Sequence, residues 1–70
     1  MMPLTMANPG ETNLIKRIGG KEEIRHFLGN LGFVEGANVL VVSQTGGNVI
    51  VNIKESRVAI SREMAMKIMI

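Results

Sequence analysis

The sequence predicts a mainly β domain, a small barrel of five or six short strands with one three-turn helix at residues about 21–31 and a short C-terminal helical turn. Glycine-containing turns divide most of the chain into segments that are long enough only for strands. One stretch alone has the i, i+3, i+4, i+7 apolar spacing of an amphipathic helix. So many strands in 70 residues would leave exposed sheet edges unless the sheet closes, and we therefore expect a closed barrel whose open end the helix covers.

The length and composition indicate one domain, residues 1–70, that is stabilised by its core alone. The chain has no cysteine and one histidine, which excludes disulfides and the usual ligand set of a structural zinc site. Hydrophobic residues make up 46% of the sequence and charged residues 20%, as in folded globular proteins. Core packing must therefore hold the fold together.

The helix is predicted from Lys21 to Leu31. Its apolar positions lie on one helical face: Ile24, Phe27, Leu28 and Leu31. Gly20 is placed to serve as the N-cap. Gly32 is expected to end the helix in the left-handed conformation, which would make Phe33 pack back on Leu28 as in a Schellman motif.

Residues 38–60 are predicted to form a three-stranded meander whose register follows from two turns. A two-residue loop at Gly46 and Gly47 pairs Thr45 with Asn48 and Val42 with Val51. A second two-residue loop at Glu55 and Ser56 connects the last two strands. Both turns place the same apolar residues on one face: Leu40, Val42, Val49, Val51, Ile53, Val58 and Ile60.

The two ends of the chain complete the predicted barrel. Leu4–Met6 and Asn13–Ile18 have the composition of strands. Arg62–Met66 has the length of a single helical turn, with Ser61 as its N-cap. Ile68–Ile70 alternates as a final short strand.

Charge and hydropathy argue against nucleic acid and membrane insertion. The formal net charge is only +2, and the chain has two phenylalanines but no tryptophan or tyrosine for base stacking. No apolar run approaches the roughly 20 residues of a membrane span. Residues 1–10 also lack the charged and apolar regions of a signal peptide, so we expect a cytoplasmic protein.

The polar residues do not form a catalytic or cofactor motif. Ser43, Ser56 and His26 have no spacing that indicates a triad, and no glycine-rich phosphate-binding pattern precedes the helix. Glu22 and His26 lie one helical turn apart and can converge, whereas Glu23 points about 100 degrees away. Two ligands do not define a metal site. We therefore expect a surface ion pair, no specific metal site, no cofactor and no enzyme activity, and weak binding of a transition metal ion is left open.

The opposite face of the meander is unusual because the predicted register gives it Val39, Val41 and Ile50. Two interpretations remain open at this point. If nothing covers these side chains, they form an apolar patch of the kind that binds a protein partner. Alternatively, closure of the barrel buries some of them.

The sequence resembles the FeoA family, ferrous iron transport protein A, over almost its whole length. The central match is Leu31-Gly32-Phe33, followed by Gly36 and a valine-rich strand. The flanking matches are Pro3-Leu4, the Pro9-Gly10 turn, the Val58-Ala59-Ile60 strand, and Ala65 leading to Ile68 and Ile70. The order and spacing of these features carry the resemblance.

The resemblance implies an SH3-like barrel and a cytosolic accessory protein of bacterial ferrous iron uptake. Such a protein is expected to act on the FeoB membrane transporter with its G-protein domain, and to reach the inner membrane only through that partner. By the resemblance, Leu31, Gly32 and Gly36 have structural roles. The partner contacts that we predict lie on the helix exterior and on the second sheet face: Arg25, Phe33, Val34, Val41 and Ile50.

Two other functions fit a small barrel. An SH3-like domain also occurs in iron-dependent repressors of the diphtheria-toxin-repressor class, but these 70 residues hold no DNA-binding helix pair. A small basic barrel that binds nucleic acid would show steeply salt-dependent binding.

Overall fold

The computed structural model describes residues 1–70 and contains six strands, two α-helices and one 3₁₀ helix. The elements are the 3₁₀ helix Leu4–Met6, β1 Thr12–Leu14, β2 Arg17–Ile18, α1 Glu22–Leu31, β3 Asn38–Gln44, β4 Asn48–Ile53, β5 Ser56–Ser61, α2 Arg62–Ala65 and β6 Ile68–Met69. The prediction of a mainly β domain with five or six strands and one longer helix is confirmed.

The strands form two sheets. The larger sheet is antiparallel with the order β1-β3-β4-β5, and the smaller one pairs β2 with β6. The predicted single strand at residues 13–18 is divided between them, because the Ile15 N–H donates to the Ala37 carbonyl (2.8 Å) and the next N–H, of Lys16, donates to the Met69 carbonyl (2.8 Å). The prediction that one sheet closes into a barrel is therefore not met at the level of strand hydrogen bonds. The chain instead crosses from the larger sheet to the smaller one at this corner.

The N-terminal segment differs from the strand that was predicted for it. Met2 and Ile70 exchange two backbone hydrogen bonds (2.9 and 2.8 Å), and Pro3 bridges Met69. Leu4–Met6 then turns as a 3₁₀ helix, in which the Ala7 N–H donates to the Leu4 carbonyl (3.0 Å). This turn directs Leu4, which is fully buried, into the core.

The C-terminal end of α1 has the predicted Schellman geometry. Gly32 adopts φ +106°, its N–H donates to the Gly29 carbonyl (3.0 Å), and the Phe33 N–H donates to the Leu28 carbonyl (2.9 Å). Leu28 and Phe33 are both buried in the same core. The N-cap prediction is wrong by one residue, since Lys21 occupies the N-cap position, without a side-chain hydrogen bond to the helix.

The apolar stripe of α1 is narrower than predicted. Leu28 is fully buried and Ile24 and Leu31 are half-buried against the core, but 48% of Phe27 is exposed. Phe27 precedes Leu28 by about 100 degrees around the helix axis. Because α1 contacts the core only through the row of Ile24, Leu28 and Leu31, the Phe27 side chain lies beside that contact and stays partly in solvent.

Two glycines in this region should respond oppositely to alanine. Gly32→Ala places a Cβ on a left-handed residue, which costs about 1–2 kcal/mol, partly offset by a stiffer unfolded chain. Gly29→Ala adds a methyl group in the helix interior, where a Cβ would contact nothing within 4 Å, and should stabilise the protein by about 0.5–1 kcal/mol. Urea unfolding of both variants measures the two signs. A stabilised Gly32→Ala variant would contradict the left-handed cap.

A β-bulge in β3 overturns the predicted faces of this strand. The Thr45 N–H donates to the Asn48 carbonyl (2.9 Å), which confirms the two-residue loop. Between Val41 and Ser43, however, the register shifts by one residue, so Val51 pairs with Val41 where Val42 was expected. An extra residue reverses the alternation of the strand beyond it. Val39 and Val41 therefore face the core, and Leu40 faces outward.

The β4–β5 turn lies at Lys54 and Glu55, one residue earlier than predicted. Ile53 pairs with Ser56 and Val51 with Val58. The pairing differs from the prediction by two residues and consequently leaves Val58 on the same face. Lys54 adopts φ +54°, an uncommon conformation for a side chain without a short polar group.

The core contains only apolar residues. They come from all parts of the chain: Leu4, Ala7, Ile15, Leu28, Phe33, Val39, Val41, Val49, Val51, Ile53, Ile60, Ala65, Ile68 and Ile70. At the C-terminal end, the Ser61 hydroxyl accepts a hydrogen bond from the Met64 N–H (3.1 Å), which confirms the predicted cap of α2. Neither α1 nor α2 has the length and hydrophobicity that a membrane-crossing helix needs.

Candidate protein-binding surface

Two of the five predicted partner contacts are buried. Phe33 is 1% exposed because it closes the end of α1 over the core, and Val41 is 0% exposed because the bulge turns it inward. The prediction that their side chains lie on an accessible surface is wrong. Val34 is 42% exposed, Arg25 is exposed and Ile50 is half-buried.

The remaining residues near α1 do not share one surface. Arg25 lines a shallow depression with Glu22, His26 and other polar residues of the helix. Val34 lines a different depression, which extends to Lys54 at the β4–β5 turn. The helix exterior thus offers a polar surface and a separate apolar side chain.

The Glu22–His26 pair forms as the sequence predicts. His26 Nε2 lies 3.5 Å from Glu22 Oε1, and about three quarters of each side chain is exposed. No group of three or more histidine, cysteine or acidic side chains is placed to hold a metal ion. An exposed pair at this spacing adds little to stability, typically about 0.3–0.5 kcal/mol.

The larger sheet presents one face away from the core, which we call the outer face. The strand registers place these residues on it: Thr12, Leu14, Asn38, Leu40, Ser43, Ile50, Asn52, Arg57 and Ala59. Leu14 is exposed, with 50% of its surface accessible, while Leu40 and Ile50 have intermediate exposure. The solvent side of an antiparallel sheet is usually polar, so three large apolar side chains there are unusual. Such a surface is typical of a site that binds another protein.

The outer face carries a single charge. Arg57 is the only charged residue in β1, β3, β4 and β5. Its Nε donates to Asn52 Oδ1 (3.2 Å), which lies opposite it on β4. Sequence reasoning missed Leu14, Leu40 and Arg57. Arg57 is recognisable in the sequence as the one charge among the strands of the larger sheet, but the exposure of Leu40 depends on the bulge.

The domain combines two small sheets, a core made only of apolar residues and an outer face that is partly apolar. The family model described as the FeoA domain matches residues 2–70, and the chain belongs to the FeoA domain family. It is 36% identical over 70 residues to the "Putative Fe(2+) transport protein A" of Methanocaldococcus jannaschii, covering all of this chain and 85% of that protein.

Solved structures agree on the fold. The crystal structure of an iron uptake regulatory protein, FeoA, matches with a TM-score of 0.87 and 25% identity, covering 94% of this chain and 89% of that one. The expected SH3-like architecture is thereby confirmed. A manganese-dependent transcriptional repressor matches with a TM-score of 0.86 at 19% identity, over 94% of this chain and 38% of the repressor. The second match concerns the fold alone and gives no support to a regulator function.

Proposed function

We propose that this protein is a cytosolic accessory protein of ferrous iron transport that binds the FeoB membrane transporter and modulates it. Membership of the FeoA domain family and the similarity to a protein named for Fe(2+) transport support the transport role. The partner is a protein, and the accessory protein reaches the inner membrane through it. On this proposal the protein acts by binding and performs no chemistry of its own.

The outer face is the observation that carries the binding proposal. Leu40 and Ile50 lie on adjacent strands, and Leu14 extends the apolar area to the sheet edge. A partner that covered these side chains would remove apolar area from water, which stabilises a complex by about 25 cal/mol per Å² before the costs of association. Arg25 and Val34, which are exposed in two separate depressions near α1, are the competing contact sites.

The decisive variant is Ile50→Asp. It places a charge at the centre of the outer face and should weaken transporter binding about tenfold or more, because an aspartate in a closed interface loses its hydration. The measurement is retention of detergent-solubilised FeoB by the immobilised protein. Two-dimensional NMR of the variant confirms that the fold is intact.

Val34→Asp is the matched control, because it introduces the same charge on the helix side. It should bind within about twofold of the wild type if the outer face is the binding surface. Loss of binding by Val34→Asp or Arg25→Glu, with Ile50→Asp unaffected, would move the interface to the helix side. A wild-type protein that retains no transporter would refute the proposed function.

A further inference from the structure

We propose that Arg57 is the specificity-determining residue of the outer face and that it recognises a carboxylate in an otherwise apolar segment of the partner protein. This inference rests on the proposed function, since it concerns the chemistry of the same surface.

The Arg57 side chain is held by a hydrogen bond to the neighbouring strand β4. Leu40, Asn52 and Arg57 lie in one row over β3, β4 and β5. The hydrogen bond from Nε to Asn52 Oδ1 uses one of the five guanidinium donors and directs the side chain over its neighbour on β4. The four Nη donors remain for a ligand. A side chain that is already held in place loses less conformational entropy when it binds.

No carboxylate of this protein neutralises Arg57. The one contact within 4.0 Å between an acidic side chain and a basic or histidine side chain is Glu22–His26 on α1. All six acidic residues lie outside β1, β3, β4 and β5, and the nearest along the chain is Glu55 in the turn. A guanidinium prefers a carboxylate because two parallel N–H groups match its two oxygens.

The composition of the face selects among possible partners. One cation without an aromatic side chain is too little for nucleic acid or an anionic membrane, both of which need several cations. The strands of a second copy packed face to face would also offer no carboxylate of their own to Arg57. The complementary partner is therefore a protein segment with apolar side chains and an aspartate, a glutamate or a C-terminal carboxylate.

The test is photo-crosslinking in the native host with p-benzoyl-phenylalanine in place of Thr12, at the far side of the outer face from Arg57. Mass spectrometry identifies the crosslinked segment. In this background Arg57→Glu should reduce crosslinking about 30-fold, the equivalent of about 2 kcal/mol. Arg62→Glu, which makes the same charge change in α2, should reduce it by less than about twofold. Charge reversal of the partner's carboxylate should restore crosslinking to Arg57→Glu.

The outcomes separate the two proposals. A carboxylate-bearing segment of the transporter with charge-swap rescue supports both. The same rescue on a different protein supports the role of Arg57 and refutes the transporter as partner. The role of Arg57 is overturned if a folded Arg57→Glu variant crosslinks as well as the wild type, or if the crosslinked segment has no carboxylate. In either case the proposed function still holds if the crosslinked protein is the transporter. If the protein that retains Arg57 gives no crosslinked product at all, both proposals are overturned.

Discussion

Phe33→Ala is expected to remove about 3–5 kcal/mol of stability, the usual loss for a large buried aromatic side chain. Phe33 is 1% exposed, and it is the largest side chain in the core. The total stability of a 70-residue domain is roughly 4–10 kcal/mol, so the variant loses about a third of it or more, and it is largely unfolded at room temperature if the total lies at the lower end. Urea unfolding followed by far-UV circular dichroism measures the loss.

Phe27→Ala is the matched control for this prediction. It makes the same change six residues earlier, on a side chain that is 48% exposed, and should cost no more than about 1 kcal/mol. The pair decides which phenylalanine belongs to the core and which lies at the surface. Equal losses in the two variants would mean that α1 is rotated relative to the position described above.

Features that depend on neighbouring residues could be predicted from the sequence. The left-handed Gly32, the hydrogen bond from the Phe33 N–H to the Leu28 carbonyl, and the Ser61 cap of α2 all form within a few residues of chain. Their geometry is determined by local backbone chemistry, which the residue types reveal. The same is true of the Glu22–His26 pair, because residues four apart on a helix are neighbours.

The faces of β3 could not be predicted, because residues 39–42 are all apolar. In the run Val39-Leu40-Val41-Val42 neither face is polar, so the period-two pattern does not say which side chains are buried. The register had to be counted back from the Gly46 and Gly47 turn, and the bulge at residue 42 adds one residue to that count. An interruption of this kind depends on tertiary packing, which short-range pattern does not encode.

The extra residue of the β3 bulge, Val42, also explains why the candidate site was only partly predicted. An apolar second face on the larger sheet was expected, and the structure has one, but its members on β3 changed from Val39 and Val41 to Leu40. Ile50 stayed, because the β4 face was assigned from a turn that does not involve the bulge. The division of residues 12–18 between two sheets was likewise hidden, since it depends on contacts with Ala37 and Met69.

Val41→Asp is expected to lower the free energy of unfolding by more than about 4 kcal/mol, the larger part of the stability of many domains of this size. Val41 is 0% exposed at the centre of the larger sheet, where its row continues through Val51 and Val58. A carboxylate at this position has no partner, because no polar side chain is buried in the core. An ion that loses its water without a partner either becomes neutral or forces the site open, and both cost several kcal/mol.

Val34→Asp is the control for Val41→Asp, since it makes the same substitution on a side chain that is 42% exposed and should change stability by less than about 1 kcal/mol. Urea unfolding and two-dimensional NMR at neutral pH distinguish the two variants. The comparison tests the bulge directly, because the uninterrupted register would place Val41 on the outer face and make it as tolerant of charge as Val34. A folded Val41→Asp variant with nearly wild-type stability would therefore restore that register, return Leu40 to the core, and remove the apolar centre from the proposed binding surface.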